Sequence, residues 1–407
     1  MVFKRKKGDF KKIDLFLFCG LLLLVIFPLG RTIRQKWDDY FLPFDRERTQ
    51  GFYEISQYVK EKDAAWIADE ILFAYAGWHY VNGGNPILVN PENPPLGKYL
   101  VGLSIKFFDN EKIPSLVFAP LSLFSLYLLS RLFLKKNWLA LFPVAIFGWG
   151  KLFQEQLIYL PLFETFALTL LCFAFYFFIK AQDQKNYFFL SSFFLGTLWA
   201  TRPWMATVPL LASWGAYLLI RKETEKIISW LISLPVALVV LLLSYTRLFW
   251  EGWSIYKVLS VQKWILWYHQ SRLIKFGTVW PFIYLKRWYV WWGDKPYLPV
   301  GQWNLFWPIF TTLALIFSGL VFLKIFGLKK KWLKNFKFDK RITVLCLWVV
   351  FYLAFLSIGN INSRYVFYLL PFCYLLGIYF LILFFCYCKN ADSNRKIQSL
   401  KKRIFKF

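Results

Sequence analysis

The chain has 407 residues, 58% of them hydrophobic, with a mean hydropathy of +0.44 and a formal net charge of +27. Apolar runs recur from Leu15 to Cys388, which excludes one soluble core and points to lipid-facing helices. Nucleic-acid binding is excluded as well, because Lys and Arg sit in short clusters between the apolar runs, where membrane topology signals sit.

The first run, near 14–30, follows Lys4-Arg5-Lys6-Lys7 and Lys11-Lys12. Arg31 and Arg34 follow it rather than a small-residue cleavage site, so it reads as a retained anchor and not as a signal peptide. A membrane helix needs about 20 apolar residues. On that measure spans fall near 14–30, 113–134, 138–150, 157–179, 187–200, 203–220, 227–246, 305–325, 342–358 and 365–387. The expectation is an all-α polytopic integral membrane protein with about ten transmembrane helices and two long extracytoplasmic loops. The stretch 187–220 is too long for one crossing and is broken by Thr201-Arg202-Pro203, so a pair of short helices is expected to meet there. Four cysteines, Cys19, Cys172, Cys346 and Cys373, lie within apolar runs, and Cys386 and Cys388 lie near the end of the last. None has metal-ligand spacing, and no disulfide framework is implied.

With a cytoplasmic N-terminus, most of the basic residues and the smaller share of the acidic ones fall inside, including Lys329-Lys330-Lys331 and Lys401-Lys402-Arg403. Both termini are then cytoplasmic in the cell membrane. The segments become a basic tail with the first anchor (1–30), a first outer loop (31–112), six further helices (113–246), a second outer loop (247–304), three more helices (305–387) and a basic cytoplasmic tail (388–407). This topology carries Asp69, Glu92, Glu164, Arg202 and Arg364 to the outer face together. The second loop holds Trp250, Trp253, Trp264, Trp267, Trp280, Trp288, Trp291, Trp292 and Trp303, as expected for an aromatic belt at headgroup depth. No internal repeat appears.

Within the first loop Asp69-Glu70 opens a helical stretch from Ile71 to Tyr80. The turn Val81-Asn82-Gly83-Gly84-Asn85-Pro86 can then fold Glu92 back toward Asp69. Pro94 and Pro95 can start a helix at Leu96, because a proline there forfeits no needed hydrogen bond; Lys98 would project from its first turns.

The order Asp69-Glu70, then AYAGWHYVNGGNP, then ENPPLGKYLVG resembles the first extracytoplasmic loop of GT-C glycosyltransferases that use polyprenyl-phosphate sugars. It is similar in particular to bacterial relatives of the protein O-mannosyltransferases and of the lipid A aminoarabinose transferases. Glu164 resembles the family's second acidic position, LGTLWATRP at 195–203 a segment that often ends in Lys, and Ser363-Arg364-Tyr365 with Tyr368-Leu369-Leu370-Pro371 a late basic, aromatic and proline element. Two departures are Glu164, where many relatives have Asp, and Asn93, where several have His or Lys.

The resemblance implies a glycosyltransferase using a polyprenyl-phosphate sugar as donor and a protein, lipid or envelope glycan as acceptor. Transfer from a sugar phosphate to a hydroxyl or amine needs a base for the acceptor proton and positive charge for the departing phosphate. The family's catalytic acid carries onto Asp69, with Glu70 as its understudy. Glu92 would orient Asp69 or the acceptor, and Glu164 would close the cavity near the sugar. Arg364 is the first choice for the carrier phosphate, with Arg202 and Lys98 behind it. No metal is required, although Asp69, Glu92 and Glu164 could share a divalent ion. His79 and His269 read as packed or interfacial side chains. The rival readings are a transporter or flippase, which would place charges near the midplane of repeated halves, and a catalytically inactive assembly subunit, against which Asp69 and Glu92 argue.

Overall fold

The structure is a computed structural model that describes residues 7–158, 162–202, 206–270, 275–290, 297–327 and 337–404. Lys4, Arg5, Lys6, Pro161, Pro203, Trp291, Trp292 and the Lys329–Lys331 cluster lie outside the described residues.

The chain is mostly helical, and seven described helices are long and apolar enough to cross a membrane: Lys12–Gln35, Ile113–Arg131, Glu164–Ala181, Thr224–Leu243, Phe306–Ile325, Lys340–Ile358 and Ser363–Tyr387. This is the architecture of an all-α multi-pass membrane protein. Asn137–Trp149 and Tyr187–Thr201 are apolar but shorter. The remaining expected span, 203–220, is the 15-residue helix Thr207–Arg221.

In chain order, α1 (Lys7–Gln35) is an apolar rod with its outer surface open. Pro28 lies inside it and has no N–H to donate to the carbonyl of Leu24, four residues back. The indole of Trp149 takes that place, donating to the Leu24 oxygen at 2.6 Å. Then come α2 (Arg46–Glu54), α3 (Asp69–Val81) and α4 (Leu96–Phe108) in the first loop. Five helices, α5 (Ile113–Arg131), α6 (Asn137–Trp149), α7 (Lys151–Ile158), α8 (Glu164–Ala181) and α9 (Tyr187–Thr201), lead to α10 (Thr207–Arg221) and α11 (Thr224–Leu243). The second loop holds α12 (Thr246–Trp250), α13 (Ile255–Gln270), α14 (Val279–Tyr284) and an antiparallel pair, β1 (Arg287–Tyr289) with β2 (Tyr297–Pro299). The chain continues through α15 (Phe306–Ile325), α16 (Thr343–Ile358), the short α17 (Ser363–Val366) and α18 (Leu370–Ile404).

One expected boundary moves. The span expected at 157–179 is divided: α7 ends at Ile158, and α8 begins at Glu164. Glu164 therefore starts a helix instead of lying one or two turns inside one.

Helix α8 is the centre of the bundle, packed against α5 and α9. Phe175 meets Trp348, Phe372 and Trp214 within about 6 Å, and Phe178 stacks on Trp214 at 4.5 Å. Between α9 and α11 the side chain is missing where it must be: a Cβ on Gly196 would lie 2.6 Å from the Ala237 backbone. Small residues let the two helices approach, as membrane helices commonly require.

The two long loops pack on each other. Val258, Val261 and Ile265 of α13 are buried against Leu241, Tyr245 and Leu248, with Ile87 and Leu96 of the first loop at the edge. The opposite face of α13 leaves Tyr256, Trp264 and Trp267 exposed. Asn85 ties the loops by donating to Glu251 Oε2 at 2.5 Å.

Candidate functional site

The site is built on the α3–α4 hairpin. Its helices cross with almost no gap because both carry glycine at the crossing: a Cβ on Gly102 would sit 2.0 Å from the Gly77 carbonyl oxygen, and one on Gly77 would meet the Lys98 oxygen at 2.5 Å. Asp69 opens α3, where the free N–H groups and the helix dipole favour a carboxylate. Pro95 stands at the N-cap of α4, so the proline pair starts a helix at Leu96 as expected.

Lys98 does not project outward. It is fully buried, and its Nζ donates to the backbone oxygen of Asn90, to that of Asn93 at 2.8 Å and to Tyr80 Oη at 3.3 Å. Three acceptors match the three protons of an ammonium. Asn90 presents its carbonyl from a left-handed conformation (φ 51°), which asparagine tolerates better than most residues. Burial pushes the Lys98 pKa down to about 7, with Glu92 pulling the other way. The side chain is a brace for the NPENPP turn, with no proton left over for an external phosphate.

Glu92 is also inside, 6% exposed. Its carboxylate accepts a hydrogen bond from Tyr58 Oη, and its carbonyl oxygen lies 3.2 Å from His269 Nε2 at the end of α13. Burial raises its pKa, opposed by Tyr58 and Lys98, and the Asp69 charge adds to the rise. The turn does bring Glu92 within the field of Asp69, but Tyr58 is its hydrogen-bond partner. Tyr58 was missed in the sequence because it stands in a polar stretch with no motif, 34 positions before Glu92.

Four charges make two ion pairs. Arg364 Nη2 donates to Asp69 Oδ2 at 2.6 Å across 295 positions of sequence. Arg202, at the C-terminal cap of α9, pairs with Glu164 at the start of α8. The pairs differ in exposure. Glu164 and Arg202 side chains are 1% and 9% exposed, whereas Asp69 and Arg364 are 40% and 26% exposed. Removing one partner of a buried pair costs about 3–5 kcal/mol. The half-buried Asp69–Arg364 pair is the more accessible of the two.

Aromatic rings enclose the buried pair. Phe73 of α3 stacks on Phe163 at 4.4 Å, and the Arg202 guanidinium lies 5.5 Å from the Phe163 ring centre and 6.0 Å from that of Phe73. The Arg202 Nε and Glu164 Oε2 atoms are buried without a hydrogen-bond partner among the described residues. Tyr368, one turn after Arg364 and buried, is close enough to feel the charges of Arg202, Glu164 and Arg364.

The second loop fixes the Arg364 segment. Trp288 Nε1 donates to the Ile361 oxygen at 2.8 Å, Thr278 Oγ1 to that of Gly359 at 3.1 Å, and Gly277 N to that of Ser357 at 2.8 Å. The Asn362 side chain then caps α17 by accepting from Arg364 N at 3.2 Å.

No protein-family model, curated protein or solved structure matches this chain.

Among the described residues no group of three His, Cys, Asp or Glu side chains could hold a metal ion. The trio considered for a divalent ion is divided: Asp69 faces Arg364, Glu92 faces Tyr58 and Glu164 faces Arg202. Glu70 is half-buried beside Asp69 and forms no ion pair among the described residues. His79 packs its ring against Gly84, which has no room for a side chain, and lies near Tyr75.

Proposed function

We propose that this protein is a membrane glycosyltransferase that moves a sugar from a polyprenyl-phosphate donor to a hydroxyl or amine acceptor on the extracytoplasmic face. The observation that carries the reading is the convergence of Asp69 and Arg364 at 2.6 Å, beside the Glu164–Arg202 pair. A carboxylate and guanidinium groups, set at helix ends next to apolar helices, are what this transfer needs: a base, and cations for a phosphate at headgroup depth.

In the inverting displacement the Asp69 carboxylate takes the proton of the acceptor O–H or N–H. The acceptor atom forms its bond to the anomeric carbon as the bond from that carbon to the phosphate oxygen breaks, and the electron pair leaves with the phosphate. The phosphate goes from a singly charged diester to a doubly charged monoester. Arg364 therefore holds the leaving group more strongly than the donor, which lowers the barrier. Glu164 and Arg202, locked together and walled by Phe73 and Phe163, form a rigid wall on the sugar side. Glu92, held by Tyr58, orients the acceptor beside Asp69. Lys98 braces the turn instead of binding phosphate.

About ten crossings, with both termini cytoplasmic, complete the proposal. Shorter helices such as Asn137–Trp149 count as crossings where the bundle thins the bilayer locally. The charged groups lie at helix ends, not at midspan, which favours an enzyme over a transporter. The test supplies the purified protein with a panel of labelled polyprenyl-phosphate sugars and envelope extract. Label should enter the acceptor fraction with wild type and fall at least 100-fold with Asp69→Asn; equal labelling by both, or uptake into vesicles without transfer, would sink the reading.

A further inference from the structure

The proposed base and the proposed phosphate ligand are bound to each other, so neither can act while that contact persists. A carboxylate oxygen occupied by a guanidinium is not free to take a proton from an acceptor, and a guanidinium turned to a carboxylate has one fewer edge for a phosphate. Resting on the function proposed above, we propose that Arg364 is an exchange arm, and that a lipid-borne phosphate displaces Asp69 from it and so releases the base only when donor is present.

Three features single out this contact. It is a single hydrogen bond, Nη2 to Oδ2, where a guanidinium can offer a phosphate two parallel ones. It is partly exposed, at 26% for Arg364 and 40% for Asp69, while the neighbouring pair is closed. The backbone of the arm is anchored at Gly359, Ile361 and Asn362, so only the long side chain needs to move. The buried Arg202 guanidinium stays on Glu164, so that neutral pair does not compete for the phosphate. Binding is then ordered: an acceptor that arrives first meets a neutralised Asp69, and the base is free only after the donor phosphate has taken Arg364.

The experiment measures binding of sugar-free polyprenyl phosphate to the full-length protein in nanodiscs, with wild type, Asp69→Asn, Arg364→Gln and the double variant, each first shown to melt cooperatively. Removing the internal competitor should tighten binding about three- to fivefold in Asp69→Asn. Arg364→Gln should weaken it about tenfold or more, and in that background Asp69→Asn should give no further gain. Inorganic phosphate should compete with the lipid, and neutral polyprenol should bind without sensing either substitution. A gain from Asp69→Asn that persists without Arg364 would mean general charge repulsion and overturn the exchange. Unchanged or weaker binding by Asp69→Asn would overturn it as well, with the donor assignment intact. Absence of phosphate-dependent binding in every variant would remove the donor assignment itself.

Discussion

Lys98 carries a charge into a place without water, and the stability of the hairpin should record it. With its pKa held near 7 in the fold against 10.5 in the open chain, the unfolded chain binds more protons between those values. Stability therefore rises with pH through that window, and the cost is fully present below about pH 7. Glu92 acts in the opposite sense: its raised pKa means that the fold holds the extra proton above the ordinary range of 4.5, so its contribution falls as pH rises through its own folded value. Melting in detergent from pH 6.5 upward should show the alkaline gain in wild type and not in Lys98→Met; a parallel slope in both would contradict the assignment. Tyr58→Phe leaves Glu92 buried without its donor and should destabilise by about 1–3 kcal/mol, read by the same melts. For the Glu164–Arg202 pair, Arg202→Met alone strands a buried carboxylate and should destabilise by about 3–5 kcal/mol. The double variant Glu164→Leu with Arg202→Met should recover much of that stability while staying inactive. Which acid meets which base was not legible in the sequence. Charge type and position pointed to Asp69, Glu92, Glu164, Arg202 and Arg364, but a partner 295 positions away leaves no local pattern. Lys98 shows the same limit: its spacing suggested a projecting cation, and only the fold reveals three acceptors around it.

At the scale of elements, the α3–α4 hairpin is the unit that presents Asp69. Its start and end were readable from Asp69-Glu70, the glycine-rich turn and Pro94-Pro95, because each reports on backbone chemistry within a few residues. The start of α8 was not, since residues 157–163 are as apolar as the helix that follows and hydropathy does not register the break at Leu162 and Phe163. Nor did the tryptophan-rich loop announce its pieces. It forms α13, which covers the first loop, and a segment around β1 that holds the Arg364 backbone. The hairpin depends on the crossing of Gly77 and Gly102. Gly102→Ala would place a methyl group 2.0 Å from the Gly77 oxygen, forcing the helices apart at a cost of about 1–3 kcal/mol. Because Asp69 rides on α3, sugar transfer should fall with it. Melting and transfer measured together check this, and full activity with an unchanged melt would show that the crossing is not what sets the site.

For the whole molecule, the long apolar helices were the most legible level, since seven of them satisfy length and composition by themselves. The proposed sidedness rests on the distribution of charge and has a direct check. In a cysteine-free variant, a membrane-impermeant thiol reagent applied to intact cells should label a cysteine placed at Glu61 or Lys263 and spare one placed at Gln184. Labelling at Gln184 alone would reverse the topology and move the Asp69–Arg364 contact to the cytoplasmic face. The central claim joins that face to a reaction. Its most direct measurement is the release of polyprenyl phosphate from a labelled polyprenyl-phosphate sugar, compared among wild type, Asp69→Asn and Arg364→Gln at matched amounts of folded protein. Acceptor-dependent release by wild type, reduced at least 100-fold in both variants, is the predicted result. Release that is independent of acceptor, or equal in wild type and Asp69→Asn, would contradict it.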